Sequence, residues 1–155
     1  MEYFATTSAA SRRVADCVIV GVYDRNKLGA AATDIDNASD GFIKKLLKSG
    51  DLSTQLGSCQ VLNGVAGVRS ARVAVVGLGK YSEFDVTNFR RALGAALQAI
   101  SKTNRRQVLN GLTLEKANGA SAYYLGRFTA EAVGEALYRF SAMKSGKKPK
   151  VMPLR

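Results

Sequence analysis

Three residues at the end of an apolar run have the types and spacing of a chemical site. Gly77, Gly79 and Lys80 follow the run RVAVV in the stretch RVAVVGLGKYSEFD, residues 72–85. Glycines in such a loop let the backbone approach a phosphate group closely, and a lysine there pairs with the phosphate charge. The stretch therefore raises the hypothesis of a nucleotide-binding loop.

Neither of the two common phosphate-binding patterns is complete in this stretch. The dinucleotide pattern G-x-G-x-x-G needs a third glycine where the chain has Ser82. The P-loop pattern G-x-x-x-x-G-K-[ST] lacks its first glycine at Ala74 and its hydroxyl residue at Tyr81. Glycines at the end of a strand also commonly form the turn into the next helix of an α/β protein, because glycine adopts positive φ without steric cost. We therefore interpret the two glycines as turn residues and the lysine as a surface charge.

The composition removes most catalytic and metal-binding chemistry. The chain has no histidine, which excludes Ser-His and Cys-His nucleophile pairs and the commonest zinc ligand. Its 12 carboxylates are scattered or lie at predicted helix starts. We therefore predict no catalytic, cofactor-binding or metal-binding residue, and expect this chain alone to be inactive. Cys17 and Cys59 lie in apolar runs and are interpreted as small hydrophobic residues rather than as a disulfide.

The formal net charge of +11 favours an anionic partner such as nucleic acid, a membrane surface or an acidic protein. No apolar run approaches the roughly 18 residues of a membrane span, and the amino terminus lacks a secretory pattern. We therefore expect a cytoplasmic protein with no membrane partner. The candidates for phosphate contact, chosen by charge alone, are Lys44, Lys45, Lys48, Arg90, Arg91, Arg105 and Arg106.

Strand and helix patterns alternate along the chain, which favours one α/β domain with layers of helices on a sheet. The predicted strands cover residues 14–23, 59–65, 72–78 and a weaker 107–114, and pairing of the second with the third makes the sheet mixed. A single helix is predicted from Thr33, which caps it, to Gly50, which ends it. A second helix begins at a cap formed by Asp85, and the last begins near Thr129.

The order of several segments resembles the amino-terminal domain of the leucine aminopeptidase family, also called cytosol aminopeptidases. The resemblance rests on SDGFIKKLLKSGDL at residues 39–52 followed by RVAVVGLGKYSEFD at 72–85. A first strand CVIVGVY and a last helix EALYRFSAMKS that leads into a basic stretch extend it over nearly the whole chain. It implies a mixed β-sheet flanked by helices with macro-domain-like architecture. Residues 1–143 would form this domain, and residues 144–155 a basic linker toward a catalytic domain.

The same resemblance implies the function of a parent protein. Family members remove amino-terminal residues from peptides with two divalent metals, Zn or Mn, in a carboxyl-terminal peptidase domain, and they form homo-oligomers. No family catalytic residue falls on a position of this sequence. The chain is thus expected to be a non-catalytic accessory and assembly domain whose partner is its own peptidase domain. Two alternatives stay open: a DNA-binding module, as implied for some bacterial members, and a macro-like module that binds ADP-ribose.

Overall fold

The computed structural model describes residue 6 and residues 8–102 and 107–143, with side chains as far as residue 136. Its strands and helices follow one another in short groups along the chain. The strands are β1 Cys17–Tyr23, β2 Lys27–Leu28, β3 Cys59–Asn63, β4 Arg72–Gly79 and β5 Val108–Asn110. The helices are α1 Ala30–Ala38, α2 Phe42–Ser49, α3 Val86–Ser101 and α4 Ala122–Met143, with short 3₁₀ turns at Tyr81–Glu83 and Gly111–Leu114.

The described strands form one mixed sheet in the order β2-β1-β4-β3, and β5 also pairs with β1. β1 runs parallel to both β4 and β5, whereas β3 is antiparallel to β4, as the sequence predicted. All seven residues of β1 are buried, because a central strand of a layered sheet is covered on both faces. The predicted mixed α/β sheet is therefore confirmed, although β1 begins three residues later than expected.

Alternate residues of β1 and β4 divide the core between two helix layers. One layer packs α1 and α2 against Val18, Val20 and Val73, and the opposite layer packs α3 and α4 against Ile19 and Val76. The two cysteines form no disulfide, as predicted; Cys17 is fully buried and Cys59 is half-buried. Burial raises the pKa of the Cys59 thiol to about 12, with a smaller contribution from Cys17, so this thiol stays protonated and unreactive at neutral pH.

The predicted single helix from Thr33 to Gly50 is wrong, because residues between α1 and α2 leave the helical conformation and two separate helices form. Asp40 and Gly41 both have positive φ, and the backbone N–H of Gly41 donates to the carbonyl oxygen of Asp36. The buried Asp36 carboxylate then accepts from the N–H of Lys44 in the first turn of α2. Thr33 is not the cap; it lies inside α1. The apolar spacing continues across the break, and periodicity alone therefore did not reveal it.

Other boundaries also differ from the sequence predictions. β5 ends at Asn110, because its side-chain oxygen accepts from the N–H of Leu112 and turns the chain into a 3₁₀ turn. α4 begins at Ala122 rather than near Thr129, and it buries Leu125 in this first part. α4 has 22 residues, yet neither it nor another helix in the described part of the chain is apolar enough to cross a bilayer. The predicted cap at Asp85 and stop at Gly50 are confirmed.

Candidate functional site

The sheet topology places a crevice between the carboxyl ends of β1 and β4. After β1 the chain forms the short strand β2 and then α1 on one face of the sheet, and after β4 it forms α3 on the other face. Strand ends whose connections depart to opposite faces are separated by the usual ligand-binding crevice of an open α/β sheet. This crevice is therefore where the hypothesis of a nucleotide site has to be tested.

Aromatic side chains of the protein itself meet at these strand ends. Tyr23, the last residue of β1, is fully buried and meets Tyr81 and Phe84 edge to face, with ring centroids 5.0 and 5.7 Å apart. The ammonium group of Lys27 lies 3.3 Å from the centre of the Tyr81 ring. Edge-to-face pairs and a cation over a ring face are both favourable arrangements, because they match the ring quadrupole.

Glu115 is buried beside Tyr23 in this cluster, and the residue is 7% exposed. Its Oε2 accepts a hydrogen bond of 2.7 Å from the hydroxyl of Tyr23, and its Oε1 accepts one of 2.8 Å from the N–H of Ala30. Ala30 is the first residue of α1, so the carboxylate occupies the positive end of the helix dipole. A Cβ at Gly29 would collide with Oε1 and with the backbone oxygen of Gly21, which explains the glycine there.

Burial raises the pKa of Glu115 above the ordinary value of a glutamate. The hydrogen bonds from Tyr23 and Ala30 and the charge of Lys27 act in the opposite direction but do not cancel the burial. Burial first, and then the bond to Glu115, also raises the pKa of the Tyr23 hydroxyl. The Glu115 carboxylate therefore occupies the helix-end position at which a ligand phosphate would bind, and the Ala30 N–H already has an acceptor.

The glycines of the predicted loop also serve the fold, and the interpretation of Gly77 as a turn residue is wrong. Gly77 lies inside β4, where its N–H donates to the carbonyl oxygen of Ser58 at 2.8 Å. A Cβ at Gly77 would collide with the backbone oxygen of Gln55. The glycine is therefore needed for the loop of residues 53–58 to pack closely against β4. Gly79 does turn, with φ of +71°. Lys80 is exposed and pairs with Glu83 at 3.7 Å, as expected for a surface charge.

The candidate phosphate-contacting residues do not gather on one surface. Lys44, Lys45 and Lys48 lie on α2, whereas Arg90 and Arg91 lie on α3 across the sheet. The remaining two candidates, Arg105 and Arg106, lie outside the described residues.

Two of the described candidates also have partners inside the chain. Lys44 lies 3.9 Å from the Asp36 carboxylate. The Arg90 guanidinium lies 4.3 Å from the centre of the Phe128 ring and pairs with Glu131 at 3.0 Å. Both contacts compete with a bound phosphate.

Within the described residues, no group of three or more histidine, cysteine, aspartate or glutamate side chains is arranged to hold a metal ion.

Sequence reasoning missed the cluster of Tyr23, Lys27 and Glu115. Tyr23 and Glu115 are 92 positions apart, and neither belongs to a known motif. The available signal was Glu115, which directly follows the apolar stretch GLTL. A carboxylate next to a buried stretch needs a partner inside the protein.

Comparison with known proteins gives matches over almost the whole chain. The profile of the cytosol aminopeptidase family, N-terminal domain, matches residues 19–147. A probable cytosol aminopeptidase of Actinobacillus pleuropneumoniae serotype 5b (strain L20) is 34% identical over 145 residues, covering 94% of this chain and 29% of that protein. A probable cytosol aminopeptidase of Halorhodospira halophila is 34% identical over 155 residues, covering 100% and 31%. The cytosol aminopeptidase of Haemophilus influenzae (strain Rd) is 31% identical, covering 95% and 30%.

Solved structures with little sequence identity share the fold. The bottromycin maturation enzyme BotP superposes with a TM-score of 0.60 at 23% identity, covering 91% of this chain and 27% of that chain. The macrodomain of Mycobacterium tuberculosis DarG superposes with a TM-score of 0.61 at 12% identity, covering 87% of this chain and 89% of that one. The architecture is therefore macro-like, with a mixed sheet between helix layers, as the sequence predicted.

Proposed function

The chain belongs to the cytosol aminopeptidase family through its amino-terminal domain, and from this premise we propose that it is a non-catalytic accessory domain of a larger aminopeptidase. It spans about three tenths of the length of the curated relatives it matches. In this proposal residues 1–143 are the accessory domain and residues 144–155 lead to a peptidase domain. That domain removes amino-terminal residues from peptides with Zn or Mn, in a homo-oligomer in the cytoplasm.

One observation carries the non-catalytic part of this proposal. The buried carboxylate most suited to acid or base chemistry, Glu115, is held by Tyr23 and the start of α1 inside the core. A general acid or base has to reach the proton that it transfers. Glu115 instead joins three elements of the fold, and we therefore assign it to stability.

The proposal predicts that activity follows the part of the protein beyond this chain. The full-length gene product is expected to hydrolyse a leucine anilide in the presence of Mn²⁺ or Zn²⁺, whereas this chain with the same metals is expected to stay at the buffer rate. Deletion of residues 1–143 from the full-length protein is expected to change the number of subunits in each assembly, which light scattering measures as the ratio of the assembled mass to the mass of one chain. Metal-dependent hydrolysis by this chain alone would overturn the non-catalytic assignment. Unchanged assembly after the deletion would overturn the accessory role.

DNA binding is the second candidate function, and its single basis is the net charge of +11. A labelled random duplex is expected to bind this chain at low salt, with an affinity that falls with a log-log slope of about −0.9 for each phosphate neutralised. Charge reversal at Lys44, Lys45 and Lys48 reports on the α2 side, and reversal at Arg90, Arg91, Arg105 and Arg106 on the remaining candidates. Fluorescence anisotropy at several salt concentrations measures the slope. A flat salt response, or equal binding by both variants and the unaltered chain, would contradict DNA binding.

ADP-ribose binding is not part of the proposal. The DarG macrodomain supports the shared fold alone at 12% identity. In this chain the rings of Tyr23, Tyr81 and Phe84 and the carboxylate of Glu115 lie at the ends of β1 and β4.

A further inference from the structure

One side of α4 faces away from the core and carries mostly small residues. Leu125 and Val133 are buried against the rest of the domain. Residues 123, 126, 130 and 134 recur at three- and four-residue intervals and therefore share another side of the helix. We call this side the α4 outer face: Tyr123, Gly126, Ala130 and Gly134.

The two glycines of the α4 outer face have no explanation inside the described chain. A Cβ at Gly126 or Gly134 would meet no heavy atom within 4 Å, and neither glycine has a positive φ. Glycine in the middle of a helix weakens it relative to alanine. This contrasts with Gly77, where a Cβ would collide with backbone. Gly94 on α3 has the same open space, so the two glycines mark a place for a partner only together with the exposed rings beside them.

The amino-terminal end of the same helix exposes aromatic rings. Tyr123 is 75% exposed and Tyr124 is 46% exposed, and their ring centroids are 5.6 Å apart. Tyrosine is enriched where protein interfaces are strongest, since it has a large apolar ring and few rotatable bonds.

Side chains beside these rings are already ordered by contacts within the chain. Tyr124 stacks on Phe128 at 6.4 Å, and Phe128 lies under the Arg90 guanidinium. Glu131 accepts hydrogen bonds from both Arg90 and Arg127, at 3.0 and 3.2 Å. A surface of ordered side chains loses less conformational entropy on binding. The α4 outer face and Tyr124 thus combine an apolar centre with a charged rim, as protein interfaces do.

We propose that the α4 outer face, together with Tyr124, docks the part of the same protein that follows Arg155. This inference rests on the proposed function, because it requires the peptidase domain. The relatives are about three times as long as this chain, and the matched family model is that of an N-terminal domain, so we infer that a large further segment follows it in them.

Chain lengths allow this occupant to reach the surface. Residues 144–155 span at most about 40 Å when extended, and Tyr123 lies about 30 Å along the helix from Met143. A covalent connection of this length gives the second domain a high effective concentration near α4, so a modest surface is sufficient for docking. A second copy of this chain lacks that advantage.

Tyrosine nitration of the full-length protein tests the docking. Tyr124 and Tyr81 are each 46% exposed in this domain, so Tyr81 is a matched internal control. Peptide mass spectrometry is expected to show nitration of Tyr123 and Tyr124 slowed about tenfold relative to Tyr81, because the centre of an interface excludes reagent. Equal or faster nitration of Tyr123 and Tyr124 would overturn the proposal.

Glycine variants separate docking from folding. Gly126→Leu with Gly134→Leu is expected to leave the circular dichroism unchanged, because both sites have open space, and to restore nitration of Tyr123 and Tyr124. Gly94→Leu on α3, also a helical glycine with open space, is expected to leave their protection intact. Protection that persists in the α4 variant would overturn the proposal. Protection that depends on protein concentration would indicate a second copy and likewise overturn it. Anilide hydrolysis by the same samples tests the proposed function separately.

Discussion

Replacement of Glu115 by alanine is expected to lower the free energy of unfolding by about 3 kcal/mol, since each buried polar group left without a partner costs about 1–3 kcal/mol. The variant leaves the fully buried Tyr23 hydroxyl and the N–H of Ala30 without their acceptor. Urea unfolding followed by circular dichroism measures the change. Glu115→Gln is the matched control: it keeps an acceptor oxygen and nearly the same volume, and its expected loss is about 1 kcal/mol. Equal stability of the alanine and glutamine variants would contradict this assignment of the carboxylate.

The same residue predicts the sign of a pH dependence. Because burial raises the pKa of Glu115, the folded state binds this proton more tightly than the unfolded state does. The contribution of Glu115 to stability is therefore largest at acidic pH and falls as the pH rises from about 4.5 through the raised pKa. Unfolding of the unaltered chain and of Glu115→Gln between pH 4 and pH 8 isolates this contribution. If the stability of the unaltered chain relative to Glu115→Gln increased as the pH rises, the predicted direction would be contradicted.

Replacement of Gly77 by alanine is expected to cost about 3 kcal/mol or more, at or beyond the upper end of ordinary overpacking. The new Cβ would collide with the backbone oxygen of Gln55 and displace the loop that pairs with the end of β4. A rigid backbone oxygen cannot rotate away as a side chain does. Thermal unfolding measures the loss, and a variant that is recovered only as unfolded protein agrees with it.

Two neighbouring substitutions distinguish packing from phosphate binding. Gly79→Ala has ordinary space around its Cβ but a left-handed φ, and is expected to cost about 1–2 kcal/mol. Lys80→Ala removes an exposed side chain with one surface ion pair and is expected to change stability by less than about 0.5 kcal/mol. If Gly77→Ala were tolerated as well as Lys80→Ala, the close approach of the 53–58 loop would be wrong.

Local signals predicted much of this fold. β1 and β4 were visible as β-branched apolar runs, and α3 as an apolar stripe behind a capping aspartate, because each signal lies within one element. The interruption between α1 and α2 was not predicted, because its signal does not lie within one element. It depends on Asp36, whose side chain bonds to a backbone N–H eight residues away, and such a contact leaves no mark on hydrophobic periodicity.

The candidate site could not be predicted from the sequence. The cluster of Tyr23, Lys27, Tyr81 and Glu115 is assembled from separate loops and strand ends. The stretch GLGK was noticed because it resembles known loops, yet its first glycine serves the approach of residues 53–58. A glycine needed for close packing and a glycine needed for a ligand look the same in a sequence. The distinction lies in what occupies the missing Cβ position.

The central place of β1 has a consequence for how the chain is made. β1 is synthesised first among the described strands. Its parallel partners β4 and β5 follow about 55 and 90 residues later, and such distant pairing gives the fold a high contact order. At a translation rate of about 5–20 residues per second, the apolar strand CVIVGVY waits roughly 5–20 s for its last neighbour. During that interval the nascent chain exposes an aggregation-prone segment, so its yield in the cell depends on how well that segment is shielded at the ribosome.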